Sequence, residues 1–113
     1  MSVGSSDNLL GALELLVLKA LESGAMHGWG ITLHIQTVSN EVLRVEEGSL
    51  YPALHRMEKA GWVKAEWGLS ENNRRARFYK ITAAGRNQLR SEQEKWESVA
   101  QAIALVLRSK ALA

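Results

Sequence analysis

The chain has no cysteine and a single proline in 113 residues. Without cysteine it can form no disulfide, thiolate nucleophile or cysteine-ligated zinc. One proline leaves long stretches free to be helical, and the many Leu and Ala residues favour that state. No apolar run is long enough to span a bilayer. At the N-terminus, MSVGSSDN has no basic segment leading into an apolar core, so no export signal is read there. A cytoplasmic location is expected. Histidine is scarce as well. His27 and His34 share roughly one helix face, but no third ligand accompanies them, so no metal site is read. Glu46 and Glu47 form an acidic pair at no catalytically useful spacing. With no nucleophile elbow and no phosphate loop, neither an enzyme nor a cofactor is expected.

What is present suits one soluble domain with a modest core: 46% hydrophobic and 23% charged residues. The net charge of +2 hides a local concentration. Residues 1–38 and 39–67 are both slightly acidic, at −2 and −1. Residues 68–80 carry Arg74, Arg75, Arg77 and Lys80 against Glu71, a local +3. Such a cluster matters more for phosphate contact than the total charge does.

Residues 1–8 are short, polar and expected to be flexible. Residues 8–23 predict a helix. Leu9, Leu13, Leu16 and Ala20 make its stripe, widened by Leu10, Val17 and Leu21. A helix this apolar needs cover on more than one side. After Gly24, HGWGITLHIQTVSN predicts a second helix with Gly28, Ile31, Ile35 and Val38 on one face. Gly28 and Gly30 weaken its first turn, so a ragged start is expected. Trp29 is assigned to the core, and Ser39 and Asn40 to the stop.

The stretch EGSLYPALHRMEKAG, residues 47–61, organises the rest. Leu50, Leu54 and Met57 fall on one helical stripe. Pro52 is placed at the helix start, Gly48 and Ser49 open the helix, and Gly61 supplies a left-handed C-cap. Two alternating stretches follow, Trp62 to Trp67 and Arg77 to Thr82, joined by the turn-rich GLSENNRRA. Trp62 and Trp67 are assigned to packing of this hairpin. A short helix followed by a basic hairpin is the layout of a winged helix-turn-helix. The fold class read here is mainly α with a two-stranded β-hairpin: a winged helix-turn-helix over residues 9–82 plus a C-terminal dimerisation helix over residues 83–113.

Thr82 can cap that last helix, which carries one weak position at Gly85. Leu89, Trp96 and Ile103 recur every seventh residue, with Val99 and Val106 at the second seam position and Leu107 beside them. A helix of about 25 residues is roughly 37 Å long, more than so small a domain needs. The expectation is a homodimer seam of Leu89, Trp96, Val99, Ile103, Val106 and Leu107. Folding of this helix onto the first helix of its own chain is the competing arrangement, and both contacts can coexist.

With Leu50, Leu54 and Met57 inward, Ser49, Pro52, Ala53, Arg56 and Lys59 are read as outward, with Tyr51 and His55 on the flanks. Ser49 and Tyr51 can hydrogen-bond a phosphate or a base edge, and Arg56 can make a bidentate contact to guanine. In the wing, Asn72, Asn73, Arg74, Arg75 and Arg77 combine hydrogen bonding with positive charge. The DNA-binding set is therefore Ser49, Tyr51, Pro52, His55, Arg56, Lys59, Asn73, Arg74, Arg75 and Arg77. Each helix residue could equally be a plain surface group; for the wing, function outweighs a merely solvated loop because the loop follows a recognition-helix pattern.

Three runs, GSLYPALHRMEKAGWV, ENNRRARFYKIT and AAGRNQL, together resemble the PadR family of bacterial transcriptional regulators. So does the earlier HGWGI, where that family usually has Tyr in place of Trp29. The likeness extends from about Leu9 to Leu89. It implies a winged helix-turn-helix regulator, often a repressor, that binds a near-palindromic operator in double-stranded DNA as a homodimer. By motif, Ser49, Tyr51 and Pro52 would lie at the DNA-facing helix start, and Arg74, Arg75 and Arg77 would be wing contacts. The single C-terminal helix matches the compact members. Some of those hold flat aromatic ligands at the dimer interface with tryptophan, which makes Trp96 the candidate for a small aromatic effector. Plain interface packing is the favoured reading of Trp96. The rival for the whole chain is a winged helix used as a protein- or RNA-interaction module, without specific duplex binding.

Overall fold

Gly11 decides where the first helix begins. The structure is a computed structural model that describes Leu9 and residues 11–112. The expectation of a flexible segment 1–8 and the place of Leu10 lie outside the described residues. Gly11 has φ +78°, and the Ala12 N–H closes a turn onto the Leu9 carbonyl at 2.9 Å. A positive φ cannot continue an α-helix, so α1 runs Leu13–Glu22 rather than from residue 8. Leu9 is still buried, carried by the turn instead of the helix. Val17, Leu18, Ala20 and Leu21 form the deepest face, while Leu13 and Leu16 are half-buried.

A two-residue strand that periodicity does not announce, β1 (Met26–His27), leads into α2 (Gly28–Val38). The expected ragged start of α2 is instead capped, since His27 Nδ1 accepts from the Gly30 N–H at 3.0 Å. Ile31 and Ile35 face the core, but Val38 is exposed. The helix ends as expected, with Asn40 and Glu41 both at positive φ.

Next come α3 (Glu47–Lys59), β2 (Val63–Leu69), β3 (Arg75–Ile81) and α4 (Ala83–Arg108). The hairpin is antiparallel from Val63↔Ile81 to Leu69↔Arg75. Its strands thus extend further toward the tip than expected, and the connecting turn shrinks to residues 70–74. Because β1 pairs with β3 through Met26↔Tyr79 and His27↔Phe78, the sheet has three strands, ordered β1-β3-β2. Leu18, Leu21, Ile31, Leu50, Leu54, Met57 and Val63 meet in the core beneath it.

One junction joins α3, the hairpin and α4. Gly61, at φ +83°, ends α3, with the Trp62 N–H reaching the Met57 carbonyl at 2.9 Å and the Gly61 N–H reaching that of Glu58 at 3.0 Å. This is the double closure of a Schellman cap. Thr82 caps α4 by accepting from the Gly85 N–H at 3.0 Å, and its hydroxyl donates to the Gly61 carbonyl at 2.6 Å. Its own N–H donates to the Trp62 carbonyl at 3.0 Å.

Gly85 is therefore no mere weak position. A Cβ there would collide with the Trp62 carbonyl and come within 2.8 Å of Ile81 Cγ1. In an open helix, Gly→Ala stabilises by about 1 kcal/mol. At Gly85 the sign should reverse, with Gly85→Ala losing about 1–3 kcal/mol by overpacking. A thermal melt followed by circular dichroism checks this. A raised Tm would contradict the close approach.

Candidate nucleic-acid interface

Residues of α3 are about 100° apart around its axis. Leu50, Leu54 and Met57 are buried as expected, but Ala53 is buried with them and offers nothing outward. With that face inward, the ridge pointing most directly away is Gly48, Pro52, His55 and Lys59. Ser49 and Arg56 occupy one flank, Tyr51 and Glu58 the other. Pro52 lies in the second turn, not at the start, because α3 begins at Glu47. Without an N–H, Pro52 leaves the Gly48 carbonyl with no partner four residues on.

Each flank meets a different neighbour. Arg56 Nε donates to Glu14 Oε2 of α1 at 3.2 Å. On the other flank, Arg77 donates to Glu58 Oε2 at 3.1 Å, tying β3 to α3. Both pairs are solvent-accessible and worth no more than about 1 kcal/mol each, so a phosphate can compete for either arginine. Tyr51 leans over the first turn of α2. Its hydroxyl and ring lie where a Cβ of Gly28 would be, and its side remains 46% exposed. No spacing in the sequence points to this dependence of Tyr51 on Gly28.

In the wing, Asn72, Asn73 and Arg74 belong to the turn, while Arg75 and Arg77 are part of β3. Asn73 adopts φ +60°, and its N–H reaches the Ser70 carbonyl at 2.8 Å. Arg75 lies 4.5 Å above the Trp67 ring, so Trp67 is a platform for a guanidinium rather than a core residue. Glu71, the acidic residue of the tip, is 3.3 Å from His27 Nε2. A backbone hydrogen bond at the turn and the His27 imidazole hold its carboxyl below the usual value of 4.5. The expected core residue Trp29 is instead 65% exposed. It lines a groove of about 570 Å³ together with Tyr51, His27 and the wing arginines. Sequence reading missed it because a tryptophan in an apolar run is assigned inward by default.

The seam of α4 divides in two. Leu89 is 3% exposed and belongs to the core of its own chain, so it is unavailable to a partner. Trp96, Val99, Ile103, Val106 and Leu107 remain exposed, the last two at 71% and 79%. Only the first half of α4 packs on α1. Between them lies a cleft of about 320 Å³, lined by Trp62, Trp96, Leu15, Val99, Glu92 and Glu14. Glu14 thus borders the cleft and also holds Arg56. Among the described residues, no three His, Asp or Glu side chains gather to hold a metal, and no helix is long and apolar enough to cross a membrane.

A model of the transcriptional regulator PadR-like family matches residues 17–91, from α1 through the start of α4. The chain belongs to this family. It is a winged-helix DNA-binding regulator of transcription, not an enzyme. A transcriptional regulator of Mycobacterium tuberculosis is 33% identical over 92 residues, covering 81% of this chain and 82% of that protein. A transcriptional regulator from Clostridium thermocellum has a solved structure with TM-score 0.77 at 30% identity, covering 88% of this chain and 96% of that one. A PadR-like regulator from Bacillus cereus gives TM-score 0.78 at 26% identity, covering 93% of this chain and all (100%) of the other.

Because the Tyr51 tip is the flexible partner in its contact with Gly28, Gly28→Ala should swing the ring aside rather than unfold the domain. Affinity for duplex DNA should fall about tenfold, the order of one lost polar contact, with little change in Tm. Unchanged affinity in an anisotropy titration would remove Tyr51 from the interface.

Proposed function

We propose that this PadR-like chain represses transcription in the cytoplasm as a homodimer on a near-palindromic operator, and that a flat aromatic effector relieves repression. The observation that carries the dimer is the far half of α4, where Ile103, Val106 and Leu107 stay exposed on a helix of 26 residues. Apolar side chains in such a row are covered in a stable solution species, and a second copy of the same helix is the simplest cover. On this reading residues 83–113 form the dimerising element and residues 9–82 the DNA-binding domain. A twofold dimer places two α3 helices in successive major grooves, and that symmetry is what a near-palindrome mirrors.

Within each half, Pro52, His55 and Lys59 would approach base edges, with Ser49, Tyr51 and Arg56 reaching from the flanks. Asn73, Arg74, Arg75 and Arg77 would follow the phosphates or enter the minor groove. The effector reading rests on the α1–α4 cleft beside Trp96, where apolar and carboxylate groups lie together. A ligand there would touch Glu14 and so compete with its hold on Arg56.

A gel shift against duplex from the promoter of the protein's own operon tests the regulator reading. An Arg74→Ala, Arg75→Ala double variant should lower the log–log salt slope by about 2, one per lost phosphate contact. Equal weak binding of every nucleic acid would favour the interaction-module rival. For the dimer, sedimentation at micromolar concentration should give one species of twice the chain mass. A stable monomer would reject it.

A further inference from the structure

We propose that Trp29 is a DNA contact, forming with Tyr51 one wall of a channel whose opposite wall is Arg74 and Arg75, and that this channel receives the sugar–phosphate backbone of the operator. The inference rests on the DNA-binding reading and adds a residue outside the recognition helix and the wing.

Two observations support it independently. The first is exposure: Trp29 is 65% exposed, although it is the largest side chain on α2 and stands two residues after the N-cap His27. An indole left in water at the rim of a groove is available to a partner. The second is the chemistry of that groove, whose volume of about 570 Å³ lies within the range of sites that hold ligands. Arg74 has no carboxylate partner among the described residues, and the Arg75 guanidinium is held in place by the Trp67 ring. Arg77 is engaged by Glu58 at 3.1 Å. The one acidic group of the groove, Glu71, has its carboxylate directed to His27 at 3.3 Å.

A strip with two available cations on one side and two amphipathic aromatics on the other matches a phosphodiester strand. The anionic oxygens face the arginines. The indole N–H and the Tyr51 hydroxyl each offer a donor, and the ring faces suit the apolar face of deoxyribose. A small anion would use the arginines but not the aromatic wall. An apolar protein surface would leave the guanidinium groups without partners. Duplex backbone uses both walls.

Trp29 is uncharged, so its part can be separated from that of the arginines. Phosphate contacts made by cations set the salt dependence of binding; a neutral contact does not. Full-length wild type, Trp29→Ala and Trp29→Phe would be titrated by anisotropy against a promoter duplex at several salt concentrations. Trp29→Ala should bind about tenfold more weakly at every salt concentration, with the slope unchanged. Trp29→Phe, which keeps the ring and loses the N–H, should fall between. Because the side chain is exposed, the melting curves should superpose.

Wild-type affinity in Trp29→Ala would overturn this inference alone. So would a change in sedimentation, which would make Trp29 a protein–protein contact. Failure of the wild-type protein to bind any duplex would overturn the DNA-binding reading along with it.

Discussion

The carbonyl of Trp62 and the missing side chain of Gly85 set the geometry of the molecule. Because the start of α4 lies against that carbonyl, the end of β3 is held beside the end of α3. Thr82 bridges the two by capping α4 and donating to Gly61. Four elements therefore leave one point in fixed directions. The recognition helix ends there, the wing departs and returns, and the long helix starts. A side chain at position 85 would push these apart.

From that junction the interface follows. The hairpin curls over the Tyr51–Glu58 flank of α3, and the Arg77–Glu58 pair marks where they meet. That ion pair is a weak fastening in water, so the core residues Val63, Tyr79 and Ile81 hold the sheet in place. The short strand β1 completes the arrangement by setting α2 against β3. It brings His27 to the wing tip and Trp29 to the groove. Recognition helix, wing and first turn of α2 then border one surface, while the far half of α4 keeps its apolar side chains exposed. On the proposed reading, DNA contact and self-association fall on different parts of the chain, joined at the Gly61–Thr82–Gly85 junction and again through α1, where Glu14 borders the cleft and pairs with Arg56.

Much of this was legible in the sequence because it is local. The spacing of Leu50, Leu54 and Met57, the C-cap at Gly61, the N-cap at Thr82 and the alternation of the hairpin each depend on neighbours a few residues away. The family resemblance added the order of elements. What was not legible depends on distant partners. Ala53 gives no outward sign of its burial, because alanine suits either face of a helix. Pro52 suggests a helix start later than the true one, because the helix begins at Glu47 without a side-chain cap to mark it. Leu89 fits the seven-residue repeat, yet the core of its own chain takes it. Two residues of β1 carry no period at all. Hydrophobicity alone points Trp29 inward, whereas Tyr51 and the wing make its position a groove wall.

Hydroxyl-radical footprinting of the adjacent promoter tests most directly whether two copies of this surface read one duplex. Two protected stretches related by a dyad, with centres about 10 base pairs or a small multiple of that apart, are expected of a twofold pair of recognition helices. A single protected stretch without a symmetric partner, or even cutting throughout, would contradict a dimeric reader of the groove.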